Sequence, residues 1–277
     1  MLGKLIKHEF RATGRVMLPM MGVLVMLALL ANLSIRGLTG GFSDVPALRI
    51  LFILIVVFFG IGIVAAAVMS VVIMVSHFYR NLLKDEGYLM FTLPVSVHEI
   101  IWSKLIVSLV WFLATALLIF LVLSLTGLNL ANTNLEMIIA EFPSWAEIRA
   151  QLDALGIRGQ VWGLAIRFVL TMLLGGILCC LHFYASMSLG HMFSKSKVLL
   201  SVVFFIAISF AFNLMEMGWG LSGFGVREYI GMDEFSVQES LRIASRITMT
   251  AGLMETVQSA LLYLATALGL KRGLNLG

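Results

Sequence analysis

A chain of 277 residues that is 60% hydrophobic and 12% charged, with a mean hydropathy of +1.02, has too little polar surface to fold as a water-soluble domain; soluble domains run about 45–50% apolar and about 25% charged. Its length accommodates six helical spans of about 20 residues each and leaves too little for a separate soluble domain of typical size. The net charge of +4 is spread thinly between apolar runs, which argues against a nucleic-acid partner and fits the flanks of membrane spans.

Residues 1–15 place Leu2, Leu5, Ile6 and Phe10 on one helical face and Lys4, Lys7, His8, Arg11 and Arg15 on the other. Such a stripe predicts an amphipathic helix lying in the headgroup boundary before the chain turns into the bilayer near Val16. A plain basic flank of the first span is the alternative, and both put this end in the cytoplasm. Glu9, and the lack of a small-residue cleavage site after it, predict that this segment is retained rather than removed as a signal.

Six apolar runs follow: Val16 to Ile35 with Pro19 near its start, Ile50 to Ser76, Ile100 to Leu125, Val161 to Leu189, Val198 to Met215, and Ile247 to Leu270. Gly60, Gly62, Gly175 and Gly176 lie inside them, where small residues permit close helix contact. With the N-terminus inside, the inner segments hold eleven basic and four acidic residues, a net of +7; the outer ones hold eight basic and eleven acidic. The Lys/Arg excess predicts that both termini are cytoplasmic.

Between the second and third runs, residues 77–99 form the inner segment richest in chemistry. Lys84, Asp85 and Glu86 precede Gly87, a helix stop, and the apolar string Tyr88, Leu89, Met90, Phe91, Thr92, Leu93 precedes Pro94. Ser96 and Glu99 then have capping-box spacing and predict a new helix. An apolar knob with charged edges suits docking into a groove of a soluble partner; folding of Tyr88 to Leu93 back into the membrane interface is the alternative.

Residues 129–158 and 217–246 are the two long outer segments. In the first, Ser144 and Glu147 form another capping box, Trp145, Ile148, Leu152 and Leu155 recur at helical spacing, and Gly156 stops the helix. This predicts a helix on the outer interface with Trp145 as an anchor. In the second, Gly218, Gly220, Gly223 and Gly225 interleave with Trp219, Leu221 and Phe224, which suggests either a segment bending back toward the membrane or a flexible loop; Ser236 and Glu239 then start a helix toward the last span.

Ionisable residues inside spans are functional candidates by default. Arg167 and Glu255 sit at comparable depth in the fourth and sixth runs and are candidates for an ion pair that fixes packing or for a substrate contact. His182 reads as an interhelical hydrogen-bonding histidine, Glu216 as a boundary residue, and the adjacent Cys179 and Cys180 as packing residues. The sequence contains no G-x-x-x-x-G-K-[ST], H-E-x-x-H or G-x-S-x-G, and its five histidines are scattered, so neither catalysis nor a bound metal or cofactor is expected in this chain.

The basic amphipathic start, six spans, and the KDEGYLMFTLP segment with its following capped helix and Lys104 resemble the permease subunits of type 2 ABC transporters, particularly those of Gram-positive bacteria. The topological resemblance covers essentially the whole chain, while its specific motif is confined to Arg80 to Lys104. It implies an all-α integral membrane protein, a single transmembrane domain of the exporter type in the bacterial cytoplasmic membrane. It also implies an assembly with two copies of an ABC ATPase, which bring ATP and Mg, and a second permease subunit that is either a copy of this chain or a different one.

The resemblance further places the ATPase contact on Lys84, Asp85, Glu86, Gly87, Tyr88, Leu89, Phe91 and Leu93. A smaller second contact falls on His191, Lys195 and Lys197, and residues 217–246 become a re-entrant outer hairpin. The expected function is export of an amphiphilic peptide, drug or lipid-like substrate; the alternatives are a secondary transporter or channel, and a non-transporting anchor or sensor that recruits a cytoplasmic partner.

Overall fold

The computed structural model describes residues 2–39, 45–83, 95–130, 144–193, 196–219 and 236–273. Among these, every regular element is helical: α1 (Leu2–Thr39), α2 (Pro46–Leu83), α3 (Val97–Leu130), α4 (Trp145–Ala154), α5 (Arg158–Gly190), α6 (Lys197–Trp219) and α7 (Val237–Gly273). All but α4 are long and apolar enough to cross a membrane, and each contains one of the six apolar runs.

Three helix starts follow from local chemistry. Ser96, Ser144 and Ser236 each accept a hydrogen bond at Oγ from the amide of the glutamate three residues on, and Glu99, Glu147 and Glu239 accept the serine amide in return. Each reciprocal pair satisfies two otherwise orphaned N–H donors. Helix α4 ends where Gly156 takes φ +65°, with the Ile157 amide reaching back to the Leu152 carbonyl.

Two expectations change. The N-terminal amphipathic segment does not turn at Val16: α1 runs unbroken through Pro19 for 38 residues, about 57 Å at about 1.5 Å per residue. Its stripe is spent on protein, because Ile6 and Phe10 pack against Met17, Met74, Val107 and Trp111. Helix α2 likewise continues past Ser76 to Leu83, because Phe78 and Leu82, one turn apart, are both fully buried.

The chain divides into two compact units, one of Leu2–His77 with Ile106–Pro143, the other of Phe78–Leu105 with Ser144–Gly277. In the first unit α1 and α2 are antiparallel: Gly62 receives Leu27 and Gly37 receives the Phe52 ring, where an added Cβ would lie 2.8 Å and 2.5 Å from the facing atoms. The α3 segment runs parallel to α1, with the Trp111 indole donating to Thr13 Oγ1 at 2.8 Å and Asn32 Nδ2 donating to Thr126 Oγ1 at 3.3 Å.

In the second unit α5 packs on both α6 and α7. Thr171 meets Thr248, Gly175 meets Glu255 and Ser188 meets Gly269, an ascending series that makes α5 and α7 parallel. Helix α6 returns antiparallel, with Gly190 pressed on Ser201 and His182 on Phe205.

Candidate functional site

In the second unit the two helix ends that flank the segment marked for docking, the end of α2 and the start of α3, pack on α5 and α7 respectively. Lys84, Asp85, Glu86, Gly87, Tyr88, Leu89, Phe91, Leu93 and Lys195 lie outside the described residues, but both stems of the segment 84–94 are defined. On the α2 stem, Phe78 stacks on Tyr184 of α5 with ring centroids 3.9 Å apart and planes at 9°, and Tyr79 presents its ring to His191 at 5.3 Å, edge to face. On the α3 stem, His98 Nδ1 lies 2.6 Å from the Tyr263 hydroxyl of α7, and Trp102 leans on the same tyrosine at 6.0 Å.

His191 and Lys197 bracket the short turn between α5 and α6. His191 caps α5: its amide donates to the Met187 carbonyl at 3.1 Å, and Nδ1 lies 2.9 Å from the same oxygen, so Nδ1 carries the proton. Burial pushes the His191 imidazole below its ordinary pKa of 6.5 and the charge of Lys197 adds to this, against the opposing pull of the Met187 carbonyl. Lys197 is exposed at the first position of α6. Ser196, just before it, holds φ +56°, a left-handed conformation uncommon outside glycine. Met192, Phe193, Val198 and Leu199 are exposed beside the turn.

Arg167 and Glu255 are not brought together. Among the described residues no salt bridge joins them, and Arg167 Nε and Glu255 Oε2 are each buried without a hydrogen-bond partner. The parallel pairing of α5 and α7 explains why: Glu255 lies opposite Gly175, with its Oε1 at 3.4 Å from where a Cβ would stand. Arg167 is eight residues earlier on α5, about 12 Å at about 1.5 Å per residue.

The polar partner of the Glu255 region is instead Glu216 of α6. Gln258, almost fully buried, donates from Nε2 to Glu216 Oε1 at 3.1 Å. Gln258 and Ser259 were not singled out by sequence, although Glu255, Gln258 and Ser259 at i, i+3 and i+4 form a polar stripe in an apolar span. His182 does bridge helices as expected, with Nε2 3.2 Å from the Phe205 carbonyl and 3.1 Å from Ser209 Oγ. Both cysteines are free thiols, Cys180 buried and Cys179 exposed.

In the first unit Glu9 is almost fully buried and lies 3.1 Å from His77 Nδ1, while its backbone carbonyl accepts from Thr13 Oγ1 at 2.8 Å. This contact ties the start of α1 to α2 one residue before the Phe78–Tyr184 stack. Among the described residues there is no grouping of three or more His, Cys, Asp or Glu side chains able to hold a metal.

No family model, no curated protein and no solved structure matches this chain.

Proposed function

We propose that this chain is the membrane-spanning permease subunit of an ATP-driven exporter of the type 2 ABC kind. A separate P-loop ATPase, present in two copies, binds ATP and Mg and docks on residues 84–93, and a second permease subunit completes the conduit. The chain itself is not an enzyme. It sits in a bacterial cytoplasmic membrane with both termini inside, as the distribution of Lys and Arg favours, and the basic face of residues 1–15 meets anionic headgroups there.

Support comes first from the anchoring of the docking segment. A loop that only turned the chain would need no such stems. Here one stem is clamped to α5 through Phe78–Tyr184 and Tyr79–His191, and the other to α7 through His98–Tyr263. The Tyr79–His191 contact also sets the root of residues 84–94 beside the turn that holds His191 and Lys197, the two regions assigned to partner contact. A push on the segment is therefore delivered to α5 and α7, which pack on one another as a parallel pair. Motion of that pair is the step that converts nucleotide-driven closure of the ATPase into opening of the conduit.

The readout is ATP turnover by the P-loop subunit isolated with this chain. Wild type should change that subunit's turnover by at least about fivefold relative to the free ATPase, a coupling of about 1 kcal/mol, and Gly87→Pro should abolish the change while leaving the helices intact. Equal turnover with wild type and Gly87→Pro contradicts the assignment and favours the anchor or the secondary transporter.

A further inference from the structure

Arg167 is a cation without a counter-charge in α5, a helix long and apolar enough to cross a membrane. Its Nε is buried with no hydrogen-bond partner, and among the described residues no carboxylate forms a salt bridge with it. The acidic side chains of α4 and of the first turn of α7 are engaged elsewhere. Glu147 caps α4 through Ser144, Asp153 pairs with Arg158 at 3.1 Å, and Glu239 caps α7 through Ser236. Glu255 faces Gly175, two turns further along α5. An unmatched guanidinium in a span is costly, and such a residue marks a place where an anion is supplied from elsewhere.

Geometry sets the depth of that charge. Helix α5 has 33 residues, about 50 Å at about 1.5 Å per residue, against a hydrocarbon core of about 30 Å. With the core centred on the helix, about 10 Å projects at each end. Arg158 is the first residue of α5, so the Cα of Arg167 lies about 14 Å along it and about 4 Å inside the core. The side chain folds back toward the preceding turn, as helical side chains do: Nη2 stands 3.6 Å from where a Cβ on Gly163 would be. That turn, about 5 Å, returns the guanidinium to the edge of the headgroup layer.

The surroundings select the ligand. Thr171, one turn past Arg167 on the same face, donates to the Thr248 carbonyl at 3.4 Å and lies against Gly252, which sets α7 along that face. Beside it on α5, Trp162, Ile166 and Leu170 recur at four-residue spacing and are all exposed, an apolar stripe next to the cation. Trp162 stands at the depth that suits an interfacial aromatic. A ligand here therefore needs an anionic head on an apolar tail. The planar fork of an arginine holds two oxygens of one group, and phosphate is the anion that every phospholipid headgroup presents at this level.

We propose that Arg167 binds the phosphate group of a membrane amphiphile at the edge of the α5–α7 pair, with Gly163 leaving room beside the guanidinium and Trp162, Ile166 and Leu170 receiving the acyl chain. The phosphate belongs either to a phospholipid of the bilayer or to a phosphorylated amphiphile that the protein carries; only the second source rests on the exporter assignment. The site uses none of the residues assigned to the ATPase contact, so its test and the test of the exporter assignment fail separately.

The full chain in dodecyl maltoside micelles is titrated with dodecyl phosphate, with dodecanol as the uncharged control and native mass spectrometry as the readout. The expected result is a saturable component weakened at least about tenfold in Arg167→Gln, as for lost charge-assisted hydrogen bonds, and about threefold in Arg167→Lys, which keeps the charge without the fork. Thermal midpoints verify that each variant is folded. Gly163→Leu, which crowds the guanidinium and leaves its charge, serves if Arg167→Gln does not fold, with weakening of about threefold expected. Phosphatidylglycerol added to the micelles separates the sources: displacement of dodecyl phosphate identifies a bilayer phospholipid as occupant, and its lack identifies a carried amphiphile. No saturable component, unchanged affinity in the folded variants, or equal binding of dodecanol overturns the proposal.

Discussion

His191 shows how one side chain joins two tasks. Its backbone and ring nitrogen both serve the Met187 carbonyl, which ends α5, while the ring meets Tyr79 from the root of the docking segment with its plane at 70°. Because burial holds its pKa below 6.5, the unfolded chain binds more protons than the folded one as pH falls through 6.5 toward the lowered value. Stability therefore rises with pH through that window and is lost on the acid side. Thermal midpoints between pH 7.5 and 5.5 should fall more steeply for wild type than for His191→Phe, which keeps the aromatic contact and cannot titrate; parallel curves would refute this. The resemblance marked His191 only as part of a second partner contact with Lys195 and Lys197. It gave no sign of Tyr79, which is 112 positions away, since contacts between distant segments have no local pattern. Glu9 was equally opaque: nothing local to residues 1–15 pairs it with His77, against which it is buried.

At the scale of elements, close approach matters more than apolar area, because lipid tails bury apolar side chains as well as other helices do. Among the described glycines of the second unit the tightest approach is at Gly190, where an added Cβ would meet the Oγ of Ser201 and stand 2.5 Å from its backbone nitrogen. Gly190→Ala should destabilise the folded chain by about 1–3 kcal/mol, since backbone cannot yield as a side chain can. Gly60→Ala, with nothing within 4 Å of the new methyl, should instead stabilise by about 0.5–1 kcal/mol through helix propensity alone. Unfolding in mild detergent measures both, and equal shifts would contradict the packing account. The three capping boxes were legible because both partners lie within four residues, and Gly156 was legible because a left-handed stop favours glycine. Gly190 and Gly269 were not, since at helix ends a glycine that fits a neighbour looks the same as one that ends a helix.

For the whole molecule, six long apolar helices and the helical fold class were readable from composition and run length. What sequence misjudged was continuity. Neither Gly14 nor Pro19 breaks the helix, so α1 carries the amphipathic stripe straight into its span, and the stripe is used on α2 and α3. Pairing was also out of reach: Arg167 and Glu255 matched in depth and charge, but the register of α5 and α7 sets them two turns apart. The candidate docking end was half legible, its motif from residues and its clamps only from the fold.

The central claim is that this end seats an ATPase. Its most direct measurement is recovery of the tagged chain from native membranes in mild detergent, wild type beside Phe91→Asp, followed by mass spectrometry and an ATP-hydrolysis assay. The account predicts a P-loop ATPase with wild type and its loss with Phe91→Asp; absence of such an ATPase from both samples, or its equal recovery in both, would contradict it.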